Sequence, residues 1–430
     1  MTDLKGRSRL ITGGDGERFR RIGFYFIAAY FCSTTFTHAL SQIFFGGALL
    51  FFLLDWGTNR KFSWKPQSDL FTIFILLFVG WSVLSALVGP TPLKSLVTTR
   101  EEWLFLMVPV AASALLDDKR RRTALRIFAV SAGLVSIYAV IQHSAGEHFY
   151  HGERLSPSPG GGWRAAGTFS HYLTFGNYYA MASAFFLSVA GGAAIRKDKI
   201  IFYTAFALSA VATFLTFSYG PILALVFGVL VYLIFWGRRN MKWALSVFAL
   251  VILFTAAMAP KIMARFLHTV EVESVGIYPG SRQAIWKAAI NMIPEHPLFG
   301  VGQGNFLKEY EKYRAPGSDK AFSHAHNDIL NIAAYAGIPA ALFYLGFWVT
   351  MLAMMSKMIL RAPPEEAELK GIGVGCFIFS LVFFVTSLYE ASFTDEEVRL
   401  ILMAVWGLFL AAKLGLKREW QTAEIEEKGA

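Results

Sequence analysis

Charge is scarce in this chain. Asp, Glu, Lys and Arg make up 16% of its 430 residues, hydrophobic types make up 55%, and the mean hydropathy is +0.46. A soluble protein of this length cannot hide several uninterrupted apolar runs of 18 residues or more, whereas such runs cross a bilayer as helices. Cysteine is almost absent. Cys32 and Cys376 both fall inside apolar runs, so no disulfide framework is legible. No internal repeat occurs, and Pro-Ser-Pro-Gly-Gly-Gly at 157–162 is the only low-complexity tract. The first 21 residues carry Lys5, Arg7, Arg9, Arg18, Arg20 and Arg21 but no apolar core and no small-residue cleavage site. That pattern argues against a cleaved signal peptide and for a cytoplasmic tail.

What remains is mostly apolar helix. Twelve spans are expected, near 22–39, 42–54, 68–88, 101–116, 123–142, 169–190, 199–217, 219–236, 242–259, 327–355, 371–388 and 398–415. The second is short and the fourth marginal, and only Ser218-Tyr219-Gly220-Pro221 separates the seventh from the eighth. The net charge of +10 could suggest nucleic acid, but in a chain of this kind it reads as loop asymmetry. With the N-terminus cytoplasmic, alternating loops place 27 Lys and Arg inside and 13 outside. Ten of those 13 lie in two long outer loops, which obey the positive-inside rule weakly, so the informative comparison is 27 against 3. The chain then divides into a cytoplasmic tail (1–21) and spans one to nine with an outer loop at 143–168 (22–259). A large outer segment carrying short helices (260–326), spans ten to twelve (327–415) and a second cytoplasmic tail (416–430) complete it.

The polar residues gather at the outer face. Ser-His-Ala-His-Asn-Asp at 323–328 puts His324, His326, Asn327 and Asp328 at the mouth of the tenth span. Ionisable groups entering a membrane are costly and point to function; an interfacial helix cap is the competing reading. The positive end of a helix biases His326 toward neutral imidazole, which can accept a hydroxyl proton as a general base. As helix residues two apart, His324 and His326 would point about 200° from each other, so that only His326 faces the bundle. Arg164 and Arg282 lie at the boundary on the same side, and arginine's planar fork fits phosphate. The rival reading for both is snorkelling to headgroups. His143, His148 and His151 share a loop but match no strong metal-ligand spacing, and the pair Glu271 and Glu273 reads best as solvated loop. Gly300-Val-Gly302-Gln-Gly304 resembles a phosphate-cradling loop without the strand–helix context that would support one. A base and phosphate-binding arginines at a lipid surface suggest transfer from a lipid-linked phosphate sugar.

Several stretches together resemble the O-antigen ligase and polymerase superfamily. They are Glu295-His-Pro-Leu-Phe-Gly-Val-Gly-Gln-Gly-Asn-Phe, then His324-Ala-His-Asn-Asp-Ile-Leu, then Gly337-Ile-Pro. The spacing His326, Asn327, nine residues, Gly337 is similar to the motif of the lipopolysaccharide O-antigen ligases. Ala340 departs from the Gly, Thr or Tyr found there. Arg164-Ala-Ala-Gly-Thr-Phe and Ser281-Arg282-Gln-Ala-Ile-Trp resemble the family's two arginine segments, so the resemblance covers about 163–345.

The resemblance implies an all-α integral membrane glycosyltransferase of the GT-C-like type, in the bacterial inner membrane and active on the periplasmic face. It implies inverting, metal-independent transfer without a cofactor, from undecaprenyl-diphosphate-linked polysaccharide to a lipid A–core acceptor. By the same resemblance His326 is the base, and Arg164 and Arg282 hold the diphosphate. His324, Asn327, Asp328, Arg265 and Arg314 are candidate substrate contacts. No nucleic-acid partner is expected beside the substrates and membrane lipid. An O-antigen polymerase shares motif, donor and face. A protein O-oligosaccharyltransferase commonly carries a larger periplasmic part after its last span. A polytopic transporter would show broken helices in matching halves, which this chain lacks.

Overall fold

The computed structural model describes residues 4–59, 69–149, 152–158, 161–236, 281–314 and 322–429. The expected ninth span, Arg265, the pair Glu271 and Glu273, and His151 lie outside the described residues. The helices are α1 (Leu4–Ser33), α2 (His38–Asn59), α3 (Leu70–Val88), α4 (Pro92–Thr99), α5 (Met107–Ala114), α6 (Asp118–Ala145), α7 (Tyr172–Gly192), α8 (Arg196–Phe214) and α9 (Tyr219–Trp236). They continue with α10 (Arg282–Met292), α11 (Phe306–Tyr313), α12 (Asp328–Ala336), α13 (Ile338–Arg361), α14 (Ala367–Ser387) and α15 (Glu396–Gly429). Among the described residues the only strands are the two-residue pair Glu147–His148 and Glu153–Arg154.

The chain is an all-α integral membrane protein. Seven described helical segments are long and apolar enough to cross a bilayer, within α2, α3, α6, α9, α13, α14 and α15. α1, α7 and α8 occupy the first, sixth and seventh expected spans. The fourth expected span is not one α-helix. It is a 3₁₀ helix (Arg100–Leu106) running into the eight-residue α5. The seventh and eighth are distinct helices, parted at Phe217, whose φ is +50°.

The tenth expected span also divides, into α12 and α13 at Gly337. Its φ of +89° is open to glycine, and a Cβ there would sit 2.0 Å from the Leu298 carbonyl oxygen. Pro339 follows in the first turn of α13, where its missing N–H costs nothing. α12 is therefore a short capped helix beneath the site rather than the start of a long span.

Local caps account for other ends. Asp69 accepts from Thr72 N at the start of α3 (2.9 Å), and Asp117 accepts from Arg120 N at the start of α6 (2.9 Å). The bundle packs around α7, which is buried on nearly every side from Phe175 to Ala190. Close approach is achieved with glycines: Gly192 of α7 faces Gly371 of α14, where any Cβ would collide with backbone.

The loops segregate to two ends. At one end Arg20 pairs with Asp55 (3.2 Å), Arg122 with Glu368 (2.6 Å) and Arg126 with Asp198 (2.7 Å), joining segments expected inside. At the other, Thr168 donates to Thr35 O (3.2 Å), Thr91 to Asn305 (2.9 Å) and Thr174 to Asp395 (2.7 Å), joining segments expected outside.

Candidate active site

The site is built at the second end, where the 322–327 segment meets the loop between α14 and α15. Asn327 caps α12: its Oδ1 accepts from Leu330 N (3.0 Å) and its Nδ2 donates to Leu388 O (2.8 Å). Both ends of this amide are thus used to lock the helix start onto the end of α14. Asp328 is fully buried and accepts from Phe393 N (3.0 Å) and Tyr344 OH (3.2 Å). It pins the 388–395 loop from beneath. Both residues, expected as substrate contacts, are hydrogen-bonded to the loop that follows α14.

His326 precedes the cap with φ +49°, an uncommon conformation for a residue with a side chain. Its Nδ1 lies 2.7 Å from Glu390 Oε1. With Glu390 ionised the Nδ1–H donates, which leaves Nε2 as the acceptor. His324 precedes α12 as well, so the helical-wheel separation of the two histidines does not arise. Their rings touch, 4.2 Å between centroids, and both line the same cavity. What distinguishes His326 is Glu390, not the direction of a helix face. Burial, then the neighbouring His326, pushes the His324 imidazole down to about 4 against the pull of Glu390.

Glu390 joins His326 to the arginines. Its Oε2 accepts from Arg282 Nη2 at 3.4 Å. Burial alone would raise this carboxyl, but the hydrogen bond and electrostatic interaction with His326 and the positive charge of Arg282 hold it below the usual glutamate range. Ser281 caps α10 by accepting from Ala284 N (3.3 Å), which places Arg282 at the first helical position. Its guanidinium lies 5.8 Å from the Tyr389 ring centroid, and that of Arg164 lies 4.6 Å from the Tyr172 ring centroid. Arg164 and Arg282, 118 positions apart, line one cavity of about 280 Å³ with Asn177, Tyr389 and Glu390. A second cavity of about 560 Å³ lies across Glu390, lined by His38, Thr174, His324, His326 and the acidic residues up to Glu397.

Other expectations resolve differently. Arg314 ends α11, exposed, and lines neither cavity. His143 and His148 serve the fold, bonded to Trp163 O (2.5 Å) and Phe169 O (2.9 Å). The 300–304 glycine segment holds no phosphate cradle. Val301 N and Gly302 N donate to the carbonyls of Ala334 and Tyr335, closing the end of α12 (2.9 Å each). Among the described residues, His324, His326 and Glu390 are the group able to hold a metal ion, with ligand atoms within 4.8 Å of one another.

Sequence reasoning missed Glu390, Tyr389, Tyr172 and Asn177. The available signal for Glu390 was four acidic residues (Glu390, Asp395, Glu396, Glu397) packed between two apolar runs.

Comparison with known proteins gives a family match. No curated protein matches the chain. Residues 204–345, which include Arg282, His324 and His326, match the family model described as O-antigen ligase. That segment spans α8, α9 and α10 to the first turns of α13, and supports assignment of the chain to the O-antigen ligase family.

Proposed function

We propose that the protein ligates O-antigen polysaccharide from undecaprenyl diphosphate onto a terminal sugar of lipid A–core, on the periplasmic face of the bacterial inner membrane. His326 Nε2 takes the proton of the acceptor hydroxyl, whose oxygen attacks the anomeric carbon of the donor. The bond from that carbon to the phosphate oxygen breaks, and undecaprenyl diphosphate leaves with the electron pair. Single displacement inverts the anomeric centre. Arg164 and Arg282 bind the diphosphate and stabilise charge as it develops on the leaving group. Glu390 orients the imidazole and stabilises the imidazolium it becomes. The protein's own groups supply this chemistry, with no resident metal or cofactor in the scheme.

The observation that carries the reading is the convergence of the two arginines on one cavity walled by Glu390, which also holds His326. Deletion of the gene, followed by gel analysis of lipopolysaccharide, tests it. Ligation predicts core without any O-antigen and retention of long lipid-linked polymer. Ala340, where ligases carry Gly, Thr or Tyr, favours a second reading as a polymerase using a lipid-linked acceptor. That reading predicts core capped by a single unit in the same gel.

A further inference from the structure

The cavity lined by the two arginines has a deeper wall that the scheme above leaves unused. Arg164 lies over the ring of Tyr172, the first residue of α7, and Arg282 over that of Tyr389. Asn177 lines the same cavity further along α7, about 7.5 Å deeper at 1.5 Å per residue. It is 2% exposed, and its Oδ1 is buried without a hydrogen-bond partner. An unpaired buried polar atom is costly, and a ligand that pairs it removes the cost. A half-turn of the amide exchanges Oδ1 for Nδ2, so the group can donate as well as accept. The start of α9 forms the rest of this wall, with Ser218, Tyr219, Gly220 and Pro221. A Cβ on Gly176 would lie 2.9 Å from Pro221 Cγ, so α7 and α9 meet directly beside Asn177. A Cβ on Gly220 would run into the Tyr389 ring, so glycine brings this helix end close to the ring that carries Arg282. α9 is 18 residues long, its N-terminal end is electropositive, and the N–H of Gly220 has no carbonyl to bond within its own helix. Glu390, the carboxylate in the lining, is already bonded to His326 and Arg282.

We infer that this cavity has two phosphate seats: the arginines take the phosphate bonded to the sugar, and Asn177 with the first turn of α9 takes the phosphate that carries the lipid chain. The inference deepens the reading above and rests on its lipid diphosphate donor. The order of the seats follows from depth, since the lipid side of the donor lies toward the bilayer and Asn177 lies further along the helix than the ring under Arg164. A lipid with one phosphate fills one seat only. Lipid diphosphate is therefore selected over lipid monophosphate, and the single phosphate of a membrane headgroup is disfavoured on the same count.

The test uses the full-length protein in phosphatidylcholine nanodiscs and three probes: farnesyl diphosphate, farnesyl phosphate and inorganic diphosphate. Binding is followed by titration calorimetry. Farnesyl diphosphate should bind at least about tenfold more tightly than either of the others, the worth of a charge-assisted hydrogen bond. Asn177→Ala should bring the two farnesyl probes within about threefold by weakening the diphosphate alone. Without ligand this variant should melt no lower than wild type, since it removes an unpaired buried group. Asn177→Asp, which keeps the size and adds negative charge, should bind farnesyl diphosphate more weakly still. Equal binding of the two farnesyl probes to wild type overturns the inference, because a headgroup site would give that result. Inorganic diphosphate binding as tightly as farnesyl diphosphate overturns it in favour of a free-anion site. So does failure of all three probes to bind, or an Asn177→Ala variant that melts below wild type and loses both farnesyl probes equally, as a purely structural residue would. Transfer from a lipid-linked polysaccharide to lipid A–core, measured in parallel, separates the two claims. Diphosphate selectivity that Asn177→Ala abolishes, without transfer, removes the ligase reading and leaves this inference standing. Transfer by wild type, with selectivity unchanged in Asn177→Ala, removes this inference alone.

Discussion

Glu390→Gln isolates the carboxylate that links the proposed base, His326, to the arginines. The replacement keeps the size of the side chain and removes one negative charge 2.7 Å from His326 Nδ1. In the proposed mechanism the imidazole becomes imidazolium, and a carboxylate with its charge centre near 4 Å stabilises that cation by about 4 kcal/mol at an effective dielectric of 20. The Glu390 side chain is 16% exposed and shared with Arg282, so about half of that, roughly 2 kcal/mol, is the reasonable expectation. At 1.4 kcal/mol per tenfold, kcat should fall by about 30-fold. A glutamine that turns its amide toward Nδ1 also imposes the wrong tautomer, adding to the loss. The donor KM should move much less, because the proposed mechanism leaves the diphosphate to arginines that remain. The assay is steady-state transfer by purified protein from a lipid-linked donor, with kcat and KM resolved separately. A kcat within twofold of wild type would refute the link from Glu390 to the base. A change confined to donor KM would place Glu390 with the arginines instead.

His326→Ala should lose about a hundredfold or more in rate, as for removal of a general base, and His324→Ala less; near-normal rates in the first with a dead second would reverse the assignment. Arg164→Lys and Arg282→Lys should each impair transfer at equal protein levels, since lysine cannot form the bidentate fork; wild-type rates in both would reduce them to headgroup contacts. Burial raises the Asp395 carboxyl to about 6, so the folded state favours its protonated form. Stability should therefore fall as pH rises from the ordinary aspartate range through about 6. Asp395→Asn should melt higher than wild type at pH 7 but not at pH 4, and a difference of opposite sign in thermal melts would contradict the burial argument. A cysteine at the exposed Lys308 should react with an impermeant reagent in cells whose outer membrane alone is permeabilised; protection there would invert the proposed orientation.

Much of the architecture is local chemistry and therefore legible in the chain. Apolar runs long enough to span a bilayer declare α2, α3, α6, α9, α13, α14 and α15, because backbone groups in lipid must be satisfied within the segment. Where the pattern misleads, a neighbour intervenes. The run 327–355 reads as one helix, yet Leu298 packs against Gly337 and divides it into α12 and α13. The 101–116 run begins as 3₁₀ helix, with Glu102 and Arg399 buried as an ion pair among the rings of Phe105 and Phe393. That partner comes from 297 positions away, out of reach of any window on the sequence.

The site divides in the same manner. The types and spacing of His324, His326, Arg164 and Arg282 were enough to single them out as candidates, and the fold gathers them around Glu390. The sequence could not show what Asn327 and Asp328 bond to, since their partners, Leu388 and Phe393, belong to a distant loop. Nor could it name Glu390, which looks like any acid in a short polar turn until the fold brings it against His326 and Arg282. Composition and period determine which segments enter the membrane and which residue types wait at its face. Only the packing of helices far apart in the chain decides which of those residues meet, because hydrogen bonds and ion pairs act over a few ångströms while the sequence separates their partners by scores of residues.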